Sequence, residues 1–248
     1  MPPTADDLRA IERLHVRAWP ALETAEIEGW LWRRSGGGSN RANSVSTVRF
    51  TDADPDAALD AIEARYRARN AAARVCVYDL SEPADLNERL AARGYINNET
   101  TVTMVKPVAH RAVPADVAIG GRPGADWLAV YLGAITEDRR AINAEILKSI
   151  PSPCAFFTCM RDGRAVSTGL GVADGGIAAI ECMATRDDAR RQGGAQAVLA
   201  AIEAWAAGQG VHRLALEAVA ANTPAIALYS GFGFAQVATN RFWVKDWT

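Results

Sequence analysis

One short segment of the chain combines residue types that hold an anion. Met183-Ala184-Thr185 closes an apolar, strand-like run. Arg186-Asp187-Asp188-Ala189 follows, and Arg190-Arg191-Gln192-Gly193-Gly194-Ala195 leads into an Ala/Leu/Ile-rich helix. A helix start leaves backbone N–H groups unpaired and carries partial positive charge. Glycines let a ligand approach that backbone closely, and arginines add charge-assisted donors. Strand, basic glycine turn and helix start together make a pyrophosphate cradle. The turn has neither the Gly-Lys-Ser/Thr of a Walker loop nor the Gly-x-Gly-x-x-Gly of a dinucleotide site, which disfavours a purine nucleotide enzyme.

A carboxylate sits just upstream. Glu181 interrupts the apolar run Ile177-Ala178-Ala179-Ile180-Glu181-Cys182-Met183. Burying a charge is costly, so it needs a reason. It is either a proton acceptor or a salt-bridged residue at a sheet edge. Glu217, in the run Leu214 to Ala218, faces either a ligand or solvent. His15, His110 and His212 are scattered and form no triad; surface or turn roles are expected. The cysteines, Cys76, Cys154, Cys159 and Cys182, form no Cys-x-x-Cys pair and have no His cluster, so buried reduced thiols and no metal are expected.

The elements that must position these residues follow from periodicity and turn signals. Helices are expected over 6–19, 56–70, 84–93, 126–135, 137–150, 195–208 and 223–230. Strands are expected over 29–34, 43–50, 74–80, 100–106, 155–161, 164–173, 176–185, 213–218 and 234–245. Asp162-Gly163 and Asp174-Gly175 are hairpin signals. The stretch 107–124 holds three prolines and reads as irregular, a boundary between halves. The halves end alike. Ala61-Ile62-Glu63-Ala64 recurs as Ala201-Ile202-Glu203-Ala204 at an offset of 140 residues. Gly94-Tyr95 recurs as Gly233-Phe234, and Val105-Lys106 as Val244-Lys245, both at 139. Three matches at nearly one offset point to a duplicated unit. The first copy is degenerate: in place of the basic glycine turn it has Thr51-Asp52-Ala53-Asp54-Pro55. The division is 1–110 and 111–248.

Bulk properties set limits. A chain of 248 residues holds one large domain or two small ones. A net charge of −2 gives no general attraction to nucleic acid or anionic membrane. No leader-like segment or membrane-spanning run stands out, and a cytoplasmic protein is expected.

Arg190-x-x-Gly193-x-Ala195 resembles the Arg/Gln-x-x-Gly-x-Gly/Ala turn of the GNAT acyltransferase superfamily. Asn222-x-x-Ala225-x-x-Leu228-Tyr229-x-x-x-Gly233-Phe234 is similar to the second half of that signature. The likeness covers roughly residues 155–245. Arg41-Ala42-Asn43-Ser44-Val45, after Gly29-Trp30, is similar to the start of some bacterial tandem GNAT proteins. The resemblance implies an α/β fold with a mixed, splayed sheet in two GNAT-like halves, the second complete. It implies acetyl-CoA as acyl donor, with the pantetheine arm in a slot between 176–185 and 213–218. Backbone groups of Cys182, Met183 and Ala184 would then meet the arm. Arg190, Arg191, Gln192, Gly193, Gly194 and Ala195 would surround the pyrophosphate. Asn222 would lie beside the arm, and Tyr229 would protonate the leaving thiolate. Glu181 would be the base, through water, although the family's usual position falls nearer Ala179.

The implied reaction is direct attack of an amine on the thioester, with no covalent enzyme intermediate. A small-molecule amine is the expected acceptor, without nucleic acid or membrane partners, and the protein a monomer or homodimer. A protein or peptide N-acetyltransferase and a non-catalytic acyl-CoA sensor are the alternatives. Asp126, Trp127, Tyr131, Glu137 and Asp138 lie where the acceptor would enter. Trp19, Trp30, Trp32, Arg41 and Asn43 are expected either to cap the slot or to pack between the halves.

Overall fold

Helix α1 (Ala5–Ala18) starts at Thr4, whose hydroxyl accepts from the Asp7 N–H while the Asp7 carboxylate accepts from the Thr4 N–H. This reciprocal capping sets the first turn without help from the rest of the fold. The computed structural model describes residues 2–51 and 53–247. After α1 come β1 (Glu23–Ile27), β2 (Trp30–Arg34), a 3₁₀ turn at Arg41–Asn43, β3 (Val45–Ser46), α2 (Pro55–Arg67), β4 (Ala73–Tyr78), α3 (Leu86–Ala92) and β5 (Ile96–Pro107). The chain continues through β6 (Val117–Gly120), α4 (Ala125–Gly133), α5 (Glu137–Leu147), β7 (Cys154–Arg161), β8 (Arg164–Asp174) and β9 (Ile177–Thr185). It ends with α6 (Gly194–Gly208), β10 (Arg213–Val219), α7 (Thr223–Gly231) and β11 (Ala235–Lys245).

All these strands join one mixed sheet in the order β1-β2-β3-β4-β11-β5-β10-β9-β8-β7-β6. The segment 108–116, between β5 and β6, holds the expected division of the chain, but the sheet crosses it. β5 pairs with β10, and β11 pairs with β4, so each half's last strand lies against the other half's sheet. Two pairings are parallel, β3 with β4 and β9 with β10.

The expected helices are all present near their expected places, and the strands depart in four ways. β1 and β6 were not expected. β6 is four residues long with three exposed, too short to leave a period in the sequence. The strand expected over 43–50 shrinks to Val45–Ser46, because the 3₁₀ turn takes its start. The Asp162-Gly163 hairpin turn has both residues at positive φ, 48° and 74°. The second hairpin instead turns on Gly175 and Gly176, φ 54° and 82°, and Asp174 ends the strand.

Two packed layers flank the part of the sheet that holds β9 and β10. α6 and α7 bury Val198, Leu199, Ile202 and Tyr229 against Ala178, Ile180, Leu214 and Leu216 on one face. α1, α4 and α5 bury Leu14, Trp19, Trp127, Tyr131 and Ile146 against Ala179 and Ala215 on the other. Alternation along β9 and β10 sends these strand residues to opposite faces. Trp30 and Trp32 are fully buried inside the first half, beside Phe50 and Tyr66. They neither cap the slot nor pack between halves, which corrects that expectation. Among the described residues no helix is long and apolar enough to cross a membrane.

Candidate active site

The parallel ladder of β9 and β10 runs from Ile177–Arg213 to Ile180–Leu216 and stops. Beyond it the strands separate and leave a slot lined by 181–183 and 217–219. β9 also bulges there: Thr168 faces Ala184 but Leu170 faces Glu181, so one extra residue stands opposite Gly169. Cys182 takes φ +54°, a conformation rare for a side-chain-bearing residue. Gly169 makes room for the bulge. A Cβ there would lie 2.7 Å from Met183 Sδ and 2.7 Å from Val198 Cγ1.

At the end of the slot α6 begins without a side-chain cap. Its N-cap is Gly193 at φ +81°, with Arg191 also left-handed at +59°. Gly194 then packs against β8. A Cβ on it would come within 2.5 Å of Ser167 Oγ, which is bonded to Thr185 Oγ1 at 2.9 Å. Close packing and an uncapped first turn leave the N–H groups there directed at a cleft of about 510 Å³. Arg190, Arg191, Gly193, Ala195, Asn222 and Leu228 help line it. Arg190 is exposed and pairs with Asp187 at 2.6 Å.

On the opposite face Glu181 is buried, yet both its oxygens are occupied. Arg41 Nη1 donates to Oε1 at 2.8 Å and Nη2 to Oε2 at 2.5 Å, a bidentate pair. His15 Nδ1 lies 3.3 Å from Oε1. Burial alone would raise the carboxyl. The Arg41 charge outweighs it, with hydrogen bonds from His15 and Arg41, and brings Glu181 down to about 2. Glu217 is buried as well, accepting from Asn240 Nδ2 at 2.5 Å and meeting Arg41 Nη1 at 3.5 Å. Next to it Glu12, on α1, accepts from Thr103 Oγ1 at 3.1 Å. Burial, then the neighbouring Glu217, pushes the Glu12 carboxyl well up.

Residues 4–243 match the family described as "Probable histone acetyltransferase Rv0428c C-terminal". The chain belongs to this acetyltransferase family. "Uncharacterized N-acetyltransferase YobR" of Bacillus subtilis is 26% identical over 97% of this chain and 99% of its own length. "Aminoglycoside N(6')-acetyltransferase type 1" of Serratia marcescens is 32% identical over 48% of this chain and 90% of its own. The solved "GCN5-related N-acetyltransferase from Kribbella flavida" superposes with a TM-score of 0.72 at 16% identity, covering 97% of this chain and 96% of that one. The fold is the GNAT fold, the chain is an acetyltransferase of the matched family, and the donor this fold family implies is acetyl-CoA.

The residues present fit that donor. The uncapped α6 start, Arg190 and Arg191 suit its phosphates, and the slot beside the bulge suits a narrow arm. Tyr229 lies on the α6 face of the sheet, edge-on to Phe234. Burial, then the Glu181 carboxylate, raises its phenol to about 12, so it holds its proton at neutral pH. The Cys182 thiol is pushed up by burial and then by Glu181, which opposes a nucleophilic role. The Asn222 side chain caps α7, accepting from Ala225 N–H at 3.2 Å, and the residue lines the cleft. Gln192 Nε2 donates to the Asp188 carbonyl at 3.3 Å, holding the turn. Met183 packs toward α6, and Cys182 and Ala184 toward α1 and α4.

Of the residues expected at the acceptor entrance, Trp127 and Tyr131 are buried core, with Trp127 Nε1 bonded to the Gly169 carbonyl at 3.0 Å. Arg41 does reach the slot. His15, expected in a surface or turn role, is instead buried against Glu181, 166 residues away, because α1 packs on β9, and Glu12 was not singled out at all. Their one visible trace is that each is a polar residue set among the apolar positions of an amphipathic helix.

Proposed function

We propose that this protein moves an acetyl group from acetyl-CoA to the primary amine of a small molecule, by direct attack within a ternary complex. One observation carries the small-molecule reading. The face of the slot opposite the donor cleft is covered by α1 and the Arg41–Asn43 turn, and the side chains of His15, Glu181 and Glu217 there are buried. A face closed over in this way favours a compact amine over an extended peptide lying in a groove. The aminoglycoside acetyltransferase among the relatives supports the same class. In this reading Arg190 to Ala195 hold the pyrophosphate, backbone groups of Cys182 to Ala184 meet the arm, and Asn222 stands beside it. Tyr229 protonates the departing thiolate, and Glu181 belongs to the group that takes the amine proton.

We read the chain as two tandem copies, 1–110 and 111–248, with the first degenerate. The order α2-β4-α3-β5 repeats as α6-β10-α7-β11. Gly94 and Gly233 are both left-handed at matching places, φ 84° and 100°. A relative nine-tenths covered by half of this chain supports a unit of that size. Cytoplasmic residence and a monomer or homodimer complete the proposal.

The description of the family favours a second reading, a protein lysine acceptor. Thiol release from acetyl-CoA, measured with a panel of small primary amines beside histone-tail peptides, separates the two. Faster turnover with small amines supports the proposal. Turnover confined to peptides overturns it.

A further inference from the structure

A carboxylate held near 2 by a bidentate arginine is a poor proton acceptor at neutral pH. Both oxygens of Glu181 are already occupied, Oε1 by Arg41 and His15 and Oε2 by Arg41. The imidazole beside it is differently placed. His15 is 3% exposed, and its Nε2 is buried without a hydrogen-bond partner. An ionised carboxylate accepts only, so the bond to Glu181 sets the proton on Nδ1 and leaves the lone pair on Nε2. His15 also lines a small cavity of about 10 Å³, together with Arg33, Arg41, Ser44, Tyr78 and Glu217. That is room for about one water beside the imidazole, in a cavity that reaches the slot at Glu217.

We propose that His15, supplied by the first helix, is the proton acceptor of the transfer, and that Glu181 and Arg41 are positioning residues acting through it. This rests on the acetyltransferase reading above and assigns the base within it. The placement is complementary. Tyr229 lies on the α6 face of the sheet and His15 on the α1 face, so acid and base flank the slot from opposite sides. The ammonium of the acceptor gives one proton, through the water, to His15 Nε2. Its freed lone pair forms the C–N bond, and the C–S bond breaks with its electron pair on sulfur. Tyr229 protonates that sulfur and regains its proton from the new amide nitrogen, while His15 releases its own to solvent. One acetyl group moves and one proton is lost to solvent.

The groups facing His15 are defined on every side. Glu181 comes from β9, Glu217 from β10, Arg33 from β2 and Arg41 from the 3₁₀ turn. Cys76 and Tyr78 come from β4, and burial pushes both well up, so they stay uncharged.

The test has an arm without an acceptor and an arm with one, both on the full chain and after acetyl-CoA binding has been verified. Nitrogen-15 NMR of His15 is expected to show the Nδ1–H tautomer near neutral pH, lost in Glu181→Gln. An Nε2–H tautomer or an imidazolium there overturns the proposal. In the second arm, thiol release is followed with the best amine of the panel. His15→Asn keeps a donor toward Glu181 but has no basic nitrogen. Its kcat is expected to fall about a hundredfold at pH 7, with KM for acetyl-CoA unchanged. The deficit should shrink about tenfold per pH unit as the amine loses its own proton to solvent. A deficit equal at every pH would make His15 structural. Absent acetyl-CoA binding would sink the underlying reading instead.

Discussion

Helices α2 and α6 occupy corresponding places in the two halves and begin in opposite ways. At α2, Asp54 is the N-cap, accepting from the N–H groups of Asp56 and Ala57, both at 3.0 Å, and Pro55 supplies no N–H at all. The negative charge answers the helix dipole from within the chain. At α6 the N-cap is a left-handed glycine with no side chain, and the same kind of N–H groups face a cleft edged by arginines. A helix start stabilised by its own cap has nothing left for a ligand, and one left open is less stable alone and ready for an anion. Asp52 belongs to the acidic turn before α2 but lies outside the described residues. In the two-copy reading proposed above, this difference is how one copy becomes scaffold while the other keeps its chemistry. The first half is not idle, because its His15 and Arg41 hold Glu181.

Moving the first half's cap into the second should produce the largest effect. Gly193→Asp places a carboxylate where the pyrophosphate is expected and competes for the same N–H groups. Losing two charge-assisted bonds corresponds to roughly 3–6 kcal/mol, so acetyl-CoA affinity should fall about a thousandfold by calorimetry. Unchanged affinity would break the comparison. Tyr229→Phe should lower kcat about a hundredfold while the acetyl-CoA Kd stays within about twofold; full activity across pH would remove Tyr229 as the acid.

Glu12→Gln tests the buried seam between the halves. The Glu12 carboxyl titrates higher in the folded chain than unfolded, so its stabilisation is present at acid pH and lost as pH rises. The variant keeps the bond to Thr103 without the charge. It should melt roughly 2–4 °C higher at pH 8, about 1 kcal/mol for a chain of this size, and match the native chain at pH 4. The reverse pattern in thermal unfolding would contradict this. Asp54→Gly should have the smallest effect, a few tenths of a kcal/mol of stability. It should also create no second acetyl-CoA site, since opening the cap supplies neither the arginines nor the slot.

Local features of this site were legible in the sequence because local residues determine them. The turn from Arg190 to Ala195 reads as an uncapped helix start from its own composition, and Asp162-Gly163 reads as a hairpin from its own φ preferences. The resemblance carried by Arg190 to Ala195 and Asn222 to Phe234 was what placed 176–185 beside 213–218, and the repeat marked the corresponding ends of the halves. What the sequence hid was long-range. Arg41 and Glu181 are 140 residues apart and His15 and Glu181 are 166 apart. No period or spacing relates them, and they meet only when α1 crosses β9. The exchange of β5 and β11 between halves was equally hidden, because the period of a strand does not say which neighbour it pairs with. The bulge at Cys182 has no glycine to announce it. The clue lies across the ladder, in Gly169.

The central claim is that one anion-holding helix start, and only one, serves the donor. Calorimetric titration of the whole chain with acetyl-CoA tests it most directly, run beside Gly193→Asp and Asp54→Gly. The account predicts one site per chain, lost in Gly193→Asp and retained in Asp54→Gly. Two sites per chain, or binding indifferent to Gly193→Asp, would contradict it.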